Sequence, residues 1–445
     1  MDLATLADPV PARPADDDAE LAALRAWVPR QRWFPEKGTA AELVRLAVVD
    51  LPDPRGDAEV RVHLLALPSG AVLQVPTTLR RGSVAEGAIA EVPGGTLVDG
   101  PYDPAFVRAW LAAAHHEAAA PIEPGPHRVV GGEQSNTSVL LPDADRPAIL
   151  KVFRGVTVGA NPDVEVPLAL SNAGWRGVPR PLAWLAGRWP SADGVATVGH
   201  LGVLSELVLG ARDGFEIACE HAREGRDFAA LAADLGRTTA QMHRALRTAL
   251  PLADAHGPRN AAQRAVEVRK VVRTLRDRAA AAVAKVPQLA ERADAIDAAY
   301  APLERLEAVP PLQRVHGDYH LGQVLRSAEG RWYVLDFEGE PQASASEKTR
   351  PDLALRDLAG MLRSLDYAAA VGGAADPGWL TAARAALTAG YHDETAGGED
   401  ADVVDALLPA LELDKAIYEV VYESGNRPAW LPIPLAGVDR LLGRR

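Results

Sequence analysis

The chain has 445 residues, 48% of them hydrophobic, which is enough to build two or three folded units with buried cores. Its formal net charge of −13, from 47 basic and 60 acidic residues, argues against a nucleic-acid-binding protein. A single cysteine, Cys219, excludes a disulfide within the chain and fits a reducing compartment. The sequence has neither a basic leader followed by an apolar core nor a run of about twenty apolar residues. We therefore expect a cytoplasmic protein that has no membrane partner.

Residues 1–125 are predicted to form a tail followed by a mixed α and β unit. The acidic and proline-containing segment 1–18 predicts a loosely held tail, and apolar spacing predicts a helix over 20–28. Trp33 and Phe34 follow, and we expect them to be buried because two exposed aromatic rings would be costly. The pattern then predicts three strands and one helix, at 43–51, 60–67, 71–75 and 106–119.

Between residues 126 and 208 the pattern predicts a β-rich segment suited to holding a nucleotide. A small-residue turn, Gly131 to Thr137, joins two short strands, and small residues let backbone N–H groups approach phosphate oxygens. The turn lacks the Gly-Lys-Ser/Thr ending of a Walker loop. The candidate phosphate contacts are its last residues, Ser135, Asn136 and Thr137.

A single lysine, Lys151, lies within the apolar strand predicted over 148–153. A lysine in this position is typical of the phosphate-contacting lysine of kinases, although an edge-strand lysine that blunts aggregation has the same pattern. The Asn-Pro pair at 161–162 predicts the start of the next helix, where Glu165 is the candidate partner of Lys151. Pro167 is expected to kink that helix or to mark its start.

The apolar strand over 203–208 has the character of a hinge between two lobes. An adenine ring at such a hinge would bond to backbone groups and pack on apolar side chains. Glu206, Leu207 and Val208 are the candidate contacts.

The most informative stretch covers 316–325, with Asp336 eleven residues after it. Phosphoryl transfer needs a carboxylate that accepts the hydroxyl proton, and oxygen ligands for metal ions. Asp318 is the candidate base, and Gln323 follows at the spacing of the metal-binding Asn of protein kinases. Gln323 and Asp336 offer oxygen ligands that suit Mg²⁺, and Glu338 is a further candidate acid. The alternative for the first half of the pattern is a plain turn.

Two helices are predicted after this stretch. The first, over 354–370, carries Asp357, which we expect either to accept N–H groups of the Asp318 loop or only to favour the helix dipole. The second, over 403–424, spaces tyrosines and glutamates four residues apart, which places like residues on one face. Aromatic rings, carboxylates and an arginine suit a sugar, whereas core tyrosines with solvated glutamates are the alternative.

Five motifs, taken in order, resemble the phosphotransferase superfamily that includes aminoglycoside and choline kinases, and most of all its bacterial maltokinases. They are Gln-Arg-Trp-Phe at 31–34, His-Gly-Asp-Tyr-His-Leu-Gly-Gln at 316–323, Leu-Asp-Phe-Glu-Gly-Glu-Pro at 335–341, Arg-Asp-Leu-Ala-Gly-Met-Leu-Arg-Ser at 356–364, and Tyr-Glu-Val-Val-Tyr-Glu at 418–423 with Asn-Arg-Pro-Ala-Trp at 426–430.

The resemblance implies an α+β, bilobal protein-kinase-like fold. It implies an N-terminal cap subdomain at 1–125, a β-rich nucleotide lobe with hinge at 126–208, and a mainly helical C-lobe at 209–445. It also implies ATP and Mg²⁺ as cofactors, and it places the sugar site in the C-terminal region. The candidate acceptor residues are Asp318, His320, Tyr418, Glu419, Tyr422, Glu423, Arg427 and Trp430.

The function that the resemblance implies is the ATP-dependent phosphorylation of maltose at its anomeric hydroxyl, which gives maltose 1-phosphate. A kinase with the same machinery that acts on glucosamine or an aminoglycoside is the first alternative, and the acidic net charge is compatible with it. A catalytically dead binding module is the second alternative. The joint presence of Lys151, Asp318, Gln323 and Asp336 argues against it. We expect a monomer.

Overall fold

The computed structural model divides into two compact units. Met1–Leu168 with Pro179–Leu209 forms the first, and Ala169–Val178 with Gly210–Arg445 forms the second. The residues that the structure describes are 3–37, 42–82, 84, 86–117, 122–131, 135–191, 193–252, 260–339, 348–395 and 401–444.

The first unit is rich in strands. Its described strands are β1 (Val10–Pro11), β2 (Val44–Leu51), β3 (Glu59–Ala66), β4 (Val72–Arg80), β5 (Ala88–Val92), β6 (Gly95–Asp99), β7 (His115–His116), β8 (Arg128–Val129), β9 (Thr137–Leu141), β10 (Ala148–Val152), β11 (Gly155–Val156), β12 (Pro181–Pro190) and β13 (Ala196–Glu206). Its helices are α1 (Ala19–Trp27), α2 (Pro104–Ala113) and the first part of α3 (Pro162–Asn172).

Two sheets organise the described strands of this unit. One has the order β2-β3-β4-β6-β5, with β11 paired to β4, and the other has the order β1-β12-β13-β10-β9-β8, with β7 paired to β12. The chain passes from one sheet to the other at this point, because β11 follows β10 in the chain but pairs with β4 of the other sheet. The segments predicted as cap and as nucleotide lobe therefore share one compact unit, and the boundary at residue 125 stays a prediction.

The start of the chain shows how the sequence anchors its first helix. Asp18 caps α1 by accepting a hydrogen bond from the backbone nitrogen of Leu21 at 2.8 Å. Leu21 and Leu24 are fully buried, and they share a core with Trp33 and Phe34, which are 7% and 2% exposed. The prediction that Trp33 and Phe34 are buried is confirmed, and their packing attaches the segment after α1 to the rest of this unit.

Two predictions about local order were wrong. Part of the tail over 1–18 is held, because β1 pairs in parallel with β12 and the Thr5 carbonyl lies 3.1 Å from His200 Nε2. The helix predicted over 106–119 ends at Ala113, because the next residues form β7. Both differences come from pairing with a distant strand, which local sequence patterns do not contain.

The second unit is mainly helical. Its helices after α3 are α4 (Gly214–Glu224), α5 (Ala229–Ala249), α6 (Ala261–Lys285), α7 (Pro287–Ala290), α8 (Ala293–Tyr300), α9 (Leu355–Gly372), α10 (Pro377–Thr395), α11 (Ala401–Asn426) and α12 (Pro432–Leu441). A small sheet has the order β14 (Arg212–Asp213), β15 (Val324–Arg326), β16 (Trp332–Val334). The two patterns predicted as helices over 354–370 and 403–424 are confirmed as α9 and α11. Across the parts of the chain that the structure describes, no helix combines the length and apolar character needed to cross a membrane.

Candidate active site

Helix α9 holds the loop that carries Asp318, through a side chain that bonds to the loop backbone. The buried carboxylate of Asp357 accepts the backbone N–H of His316 at 2.8 Å and that of Gly317 at 3.0 Å. Burial alone would raise the pKa of Asp357, but the hydrogen bond from His243 and these contacts hold it below its usual range. His243 is itself bonded to the Tyr391 hydroxyl at 3.0 Å. The structure confirms the predicted loop-holding role of Asp357.

The next turns of α9 extend the same contact. A Cβ atom at Gly360 would lie 2.6 Å from the carbonyl oxygen of Tyr319, so only glycine lets the loop approach this closely. One turn on, the Ser364 hydroxyl accepts the backbone N–H of Leu321 at 3.0 Å. Positions 357, 360 and 364 share one helical face. That face fixes the path of the loop that carries Asp318.

A second set of contacts joins the loop to the end of β16. His316 donates from Nε2 to the Leu335 carbonyl at 2.7 Å, and the Leu335 backbone nitrogen donates to the Gln323 carbonyl at 2.9 Å. Asp336 then adopts φ 61°, a left-handed conformation that is uncommon outside glycine and tends to be kept at functional sites. Its Oδ2 lies 3.2 Å from Gln323 Nε2. The structure therefore brings together the two predicted metal ligands, and Glu338 follows in the same loop.

Asp318 lies between two polar side chains. Lys415 Nζ is 3.4 Å from its Oδ1, and His320 Nε2 is 4.0 Å from its Oδ2. The backbone N–H of Gly322 donates to His320 Nδ1 at 3.1 Å, which fixes the ring. Burial lowers the pKa of His320, with Asp318 opposing this and Lys415 adding to it. A neutral imidazole and an ammonium group thus flank the predicted base.

One cavity of ≈ 520 Å³ in the second unit is lined by all eight candidate acceptor residues. A volume of this size lies within the range of roughly 300–1,000 Å³ found for small-molecule sites. Further lining residues are Asp213, Phe215, Glu216, Gly322, Gly360, Ser364, Tyr367 and Lys415. Asp213 and Glu216 stand at the start of α4, where Asp213 caps the helix through the backbone nitrogens of Phe215 and Glu216.

The two glutamates of α11 that line this cavity are paired with arginines. Glu419 accepts from Nε of the fully buried Arg363 at 2.8 Å. Glu423 accepts from Arg427 at 2.7 Å and from the Tyr367 hydroxyl at 3.1 Å. Charged hydrogen bonds of this kind are strong and directional. The glutamate row therefore braces α11 while it lines the cavity.

The tyrosine row stands beside it and is only half-buried. The rings of Tyr418 and Tyr422 are stacked with centroids 6.4 Å apart. The Arg427 guanidinium lies 4.4 Å from the ring centroid of Trp430 and 5.6 Å from that of Tyr422. These rings give the cavity an apolar wall of the kind that packs on a sugar. Both predicted rows line the cavity. The glutamates are held by ion pairs with arginines, whereas the tyrosine rings stack on each other.

In the first unit, Lys151 forms its ion pair with Asp163. Glu165 was the predicted partner, and the structure corrects this point. α3 begins at Pro162, as predicted, and Asn161 accepts the backbone N–H of Asp163 at 2.8 Å, so Asp163 lies in the first turn of the helix. Residues two apart on a helix point about 200° apart, so Glu165 leaves α3 in a different direction. The helix continues through Pro167.

The candidate phosphate turn lies partly outside the described residues, at 132–134. Asn136 Oδ1 accepts the backbone N–H of Arg154 at 3.2 Å, and Thr137 Oγ1 accepts from its Nε at 2.8 Å. Arg154 is fully buried, pairs with Asp99 at 2.8 Å and lies 4.6 Å from the centroid of the Trp33 ring. The side chains of Asn136 and Thr137 therefore bond to Arg154, and the contact of phosphate with backbone N–H groups of this turn stays a prediction. Ser135 is exposed.

At the predicted hinge, two backbone donors are already used. The Leu207 nitrogen donates to the Pro147 carbonyl at 3.0 Å, and the Glu206 nitrogen donates to the Arg180 carbonyl at 2.9 Å. An adenine contact at Glu206 or Leu207 would therefore use a carbonyl oxygen or the side chain, and the predicted contacts at these two residues stay predictions. Val208, half-buried at the end of the first unit, stays a candidate.

Sequence reasoning missed Lys415 and Arg363. Lys415 is one cation in the run Leu413 to Val420, which was a usable signal because a lysine among buried residues needs a partner. Arg363 gave no such signal, since its partner Glu419 lies 56 positions further along the chain.

Comparison with known proteins gives two matching family models. Residues 27–103 match the maltokinase N-terminal cap domain, and residues 127–397 match the phosphotransferase enzyme family. Two curated relatives, from Mycolicibacterium smegmatis and Streptacidiphilus jiangxiensis, are both named glucosamine kinase. Each is 33% identical to this chain. The matches cover 71% and 70% of this chain and 79% and 73% of the relatives.

A solved structure also resembles this one. It is a glucosamine kinase in complex with glucosamine, ADP and inorganic phosphate. It is 26% identical, covers 94% of this chain and 99% of its own, and gives a TM-score of 0.64. The similarity spans nearly the whole chain and confirms the predicted α+β kinase-like fold, with its cap, β-rich N-lobe and helical C-lobe.

Proposed function

The chain belongs to the phosphotransferase enzyme family, and from this premise we propose that it phosphorylates maltose with ATP. It is an ATP-dependent kinase of the sugar and amino-sugar type that acts on a hydroxyl group. The observation that supports the proposal is the position of Asp318. This carboxylate lies on the wall of a cavity that also carries the aromatic and charged side chains suited to a sugar.

In the proposed reaction, Asp318 accepts the proton of the acceptor hydroxyl as that oxygen attacks the terminal phosphorus of ATP. The bond between this phosphorus and the bridging oxygen breaks, so ADP leaves as the phosphorylated sugar forms. Asp357 holds the loop and His320 flanks the base, so that the carboxylate meets the hydroxyl in a fixed geometry. In the nucleotide lobe, Lys151 is oriented by Asp163 and provides the cation for the phosphates.

Gln323, just before β15, and Asp336, shortly after β16, fit a magnesium ion. Gln323 and Asp336 lie side by side and offer amide and carboxylate oxygens, the donor set that Mg²⁺ prefers. When bound there, Mg²⁺ would neutralise the charge that develops on the phosphate oxygens. Gln323 and Asp336 would be its ligands, with Glu338 as the neighbouring acid.

The choice of maltose depends on the charges of the cavity. An amino sugar carries an ammonium group, and a site for it needs a carboxylate that is not already satisfied. Glu419 and Glu423 are both paired with arginines, Arg363 and Arg427. Stacked tyrosines and neutralised glutamates favour a neutral sugar.

Glucosamine is the second candidate acceptor. It is supported by the names of the two curated relatives, and by the carboxylates of Asp213 and Glu216 at the start of α4. Glu216 is exposed at the cavity and would be available to an ammonium group.

The two candidates separate in one experiment. The purified protein is incubated with ATP, Mg²⁺ and one of maltose, glucose, glucosamine or kanamycin, and the products are identified by mass spectrometry and ³¹P NMR. We expect a phosphorylated disaccharide from maltose, with the phosphate at the anomeric carbon. Phosphorylation of glucosamine alone would favour the second candidate, and no sugar phosphate with any acceptor would contradict the proposal.

A further inference from the structure

Lys415 is the cation that the structure places beside the predicted base. Its Nζ lies 3.4 Å from Asp318 Oδ1 and 4.8 Å from the ring centroid of Tyr418. Both charged side chains are largely buried, with 22% and 19% of their surfaces exposed. A charge pair in such a site interacts more strongly than it would in water. Lys415 also lines the acceptor cavity, so an incoming sugar meets it together with Asp318.

The glutamates that α11 contributes to the cavity are compensated. The Glu419 carboxylate is neutralised by Arg363, and that of Glu423 by Arg427. Without Lys415, Asp318 would present an uncompensated carboxylate to the acceptor. An ammonium group on the sugar would then be attracted to the place where the reacting hydroxyl must lie.

We propose that Lys415 determines acceptor specificity by favouring neutral sugars over amino sugars. The proposal rests on the proposed sugar kinase activity. Lys415 balances the charge of Asp318 and repels a second ammonium group at short range. Discrimination between ligands often depends on such a repulsive element as much as on an attractive contact. Asp213 and Glu216 lie at the start of α4 and remain the same in every variant below, so they do not alter the comparison.

The test compares two variants of one residue. Lys415→Met removes the charge and keeps an unbranched side chain, whereas Lys415→Arg keeps the charge. The kcat/KM values for maltose, glucose and glucosamine are measured with saturating ATP. We expect Lys415→Met to raise the ratio of glucosamine to glucose by roughly tenfold, because one like charge at short range has been removed. Lys415→Arg should keep the wild-type ratio. Lys285→Met, an exposed lysine at the end of α6, is the matched control.

For each variant, kcat/KM for glucosamine and for glucose is measured on the same preparation. A lower concentration of folded enzyme then reduces both values equally and cancels in their ratio. If Lys415→Met is too slow to assay, calorimetric binding of glucosamine and maltose in the presence of ADP gives the same comparison. Wild-type protein that phosphorylates no sugar would contradict the proposed function itself. An active wild type with an unchanged ratio in Lys415→Met, or with a preference for glucosamine, would overturn the role of Lys415 and leave the kinase activity standing.

Discussion

The Asp357 carboxylate lies 2.8 Å from the backbone nitrogen of His316, although the two residues are 41 positions apart in the chain. A helix side chain therefore sets the course of a loop that has no regular structure of its own. Charged acceptors of backbone N–H groups are among the stronger hydrogen bonds in proteins. The geometry of the predicted base thus depends on a residue that does not face the acceptor cavity.

Replacing Asp357 with Asn should lower kcat and stability together. The amide keeps the size of the side chain but has one acceptor oxygen for two backbone donors. A buried donor left unsatisfied costs about 1–3 kcal/mol. We expect a lower melting temperature and a kcat reduced by about 10- to 100-fold, since small misplacements of reacting groups are costly. Asp352→Asn, at a more exposed carboxylate nearby, should change neither value much. Wild-type kcat in Asp357→Asn would contradict this role.

Replacing Asp318 with Asn should remove turnover and spare nucleotide binding. The amide cannot accept the hydroxyl proton, and general-base contributions are typically about 10² to 10⁴ in rate. Steady-state kinetics measure kcat, and calorimetry with ADP measures nucleotide affinity. Near-normal turnover in the variant would show that another group is the base.

The sequence predicted the parts of the site that lie close together in the chain. Asp318, Gln323 and Asp336 were singled out because their spacing within one short stretch is itself the signal, and the structure places Gln323 beside Asp336. The partner of Lys151 was assigned wrongly although the start of α3 was predicted correctly. The first turn of α3 carries two acids, Asp163 and Glu165, and the local sequence does not show which of them points toward Lys151.

Contacts between distant elements could not be predicted in the same way. The pair of Arg363 with Glu419 and the contact of Lys415 with Asp318 arise only when α9, α11 and the catalytic loop have packed. The order in the N-terminal tail has the same origin, since β1 exists through its pairing with β12. Periodicity in the sequence identified these helices but not their partners.

Asp336 should be necessary for the metal dependence of nucleotide binding. We expect EDTA to abolish activity and Mg²⁺ to restore it. In Asp336→Ala, adding Mg²⁺ should no longer increase the affinity for ADP, because one oxygen ligand is missing. Isothermal titration with and without Mg²⁺ measures this. Glu329→Gln, at an exposed position in the same hairpin, is the control. If the variant keeps its Mg²⁺-dependent gain in affinity, the ion is held by other residues.

The two rows of α11 should respond differently to substitution. Tyr418→Ala removes a half-buried ring from the cavity, so the KM for sugar should rise about tenfold while the KM for ATP stays unchanged. Glu419→Ala removes one of two carboxylates paired with the fully buried Arg363, the other being Asp366, and losing such a charged hydrogen bond costs about 1.5–3 kcal/mol. Its main effect should be a lower melting temperature. Tyr102→Ala, in the first unit, is the control for loss of a tyrosine ring. Unchanged sugar KM in Tyr418→Ala would remove the tyrosine row from the acceptor site.

The stability of the first unit should decrease as the pH is lowered below 6.5, because of His63. This residue is fully buried between Thr77 and Glu20, and burial, with Arg45 adding to it, lowers its pKa to about 3. Above pH 6.5 the imidazole is neutral in both the folded and the unfolded chain, so its contribution is fully present. Below pH 6.5 the unfolded chain takes up a proton that the folded chain refuses until about pH 3. Each pH unit in that window therefore costs about 1.4 kcal/mol of unfolding free energy from this group.

Urea denaturation between pH 7.5 and 5.5 measures this effect above the range where carboxylates titrate. We expect His63→Gln to have a smaller decrease in unfolding free energy over this interval than the wild-type protein, even if it is less stable at pH 7.5. Thr77→Val removes the hydroxyl that lies 3.0 Å from His63 Nε2 and keeps the imidazole, so it should retain the wild-type slope. Equal slopes for His63→Gln and the wild-type protein would mean that His63 takes up its proton in the folded chain as well, through its neighbour Glu20.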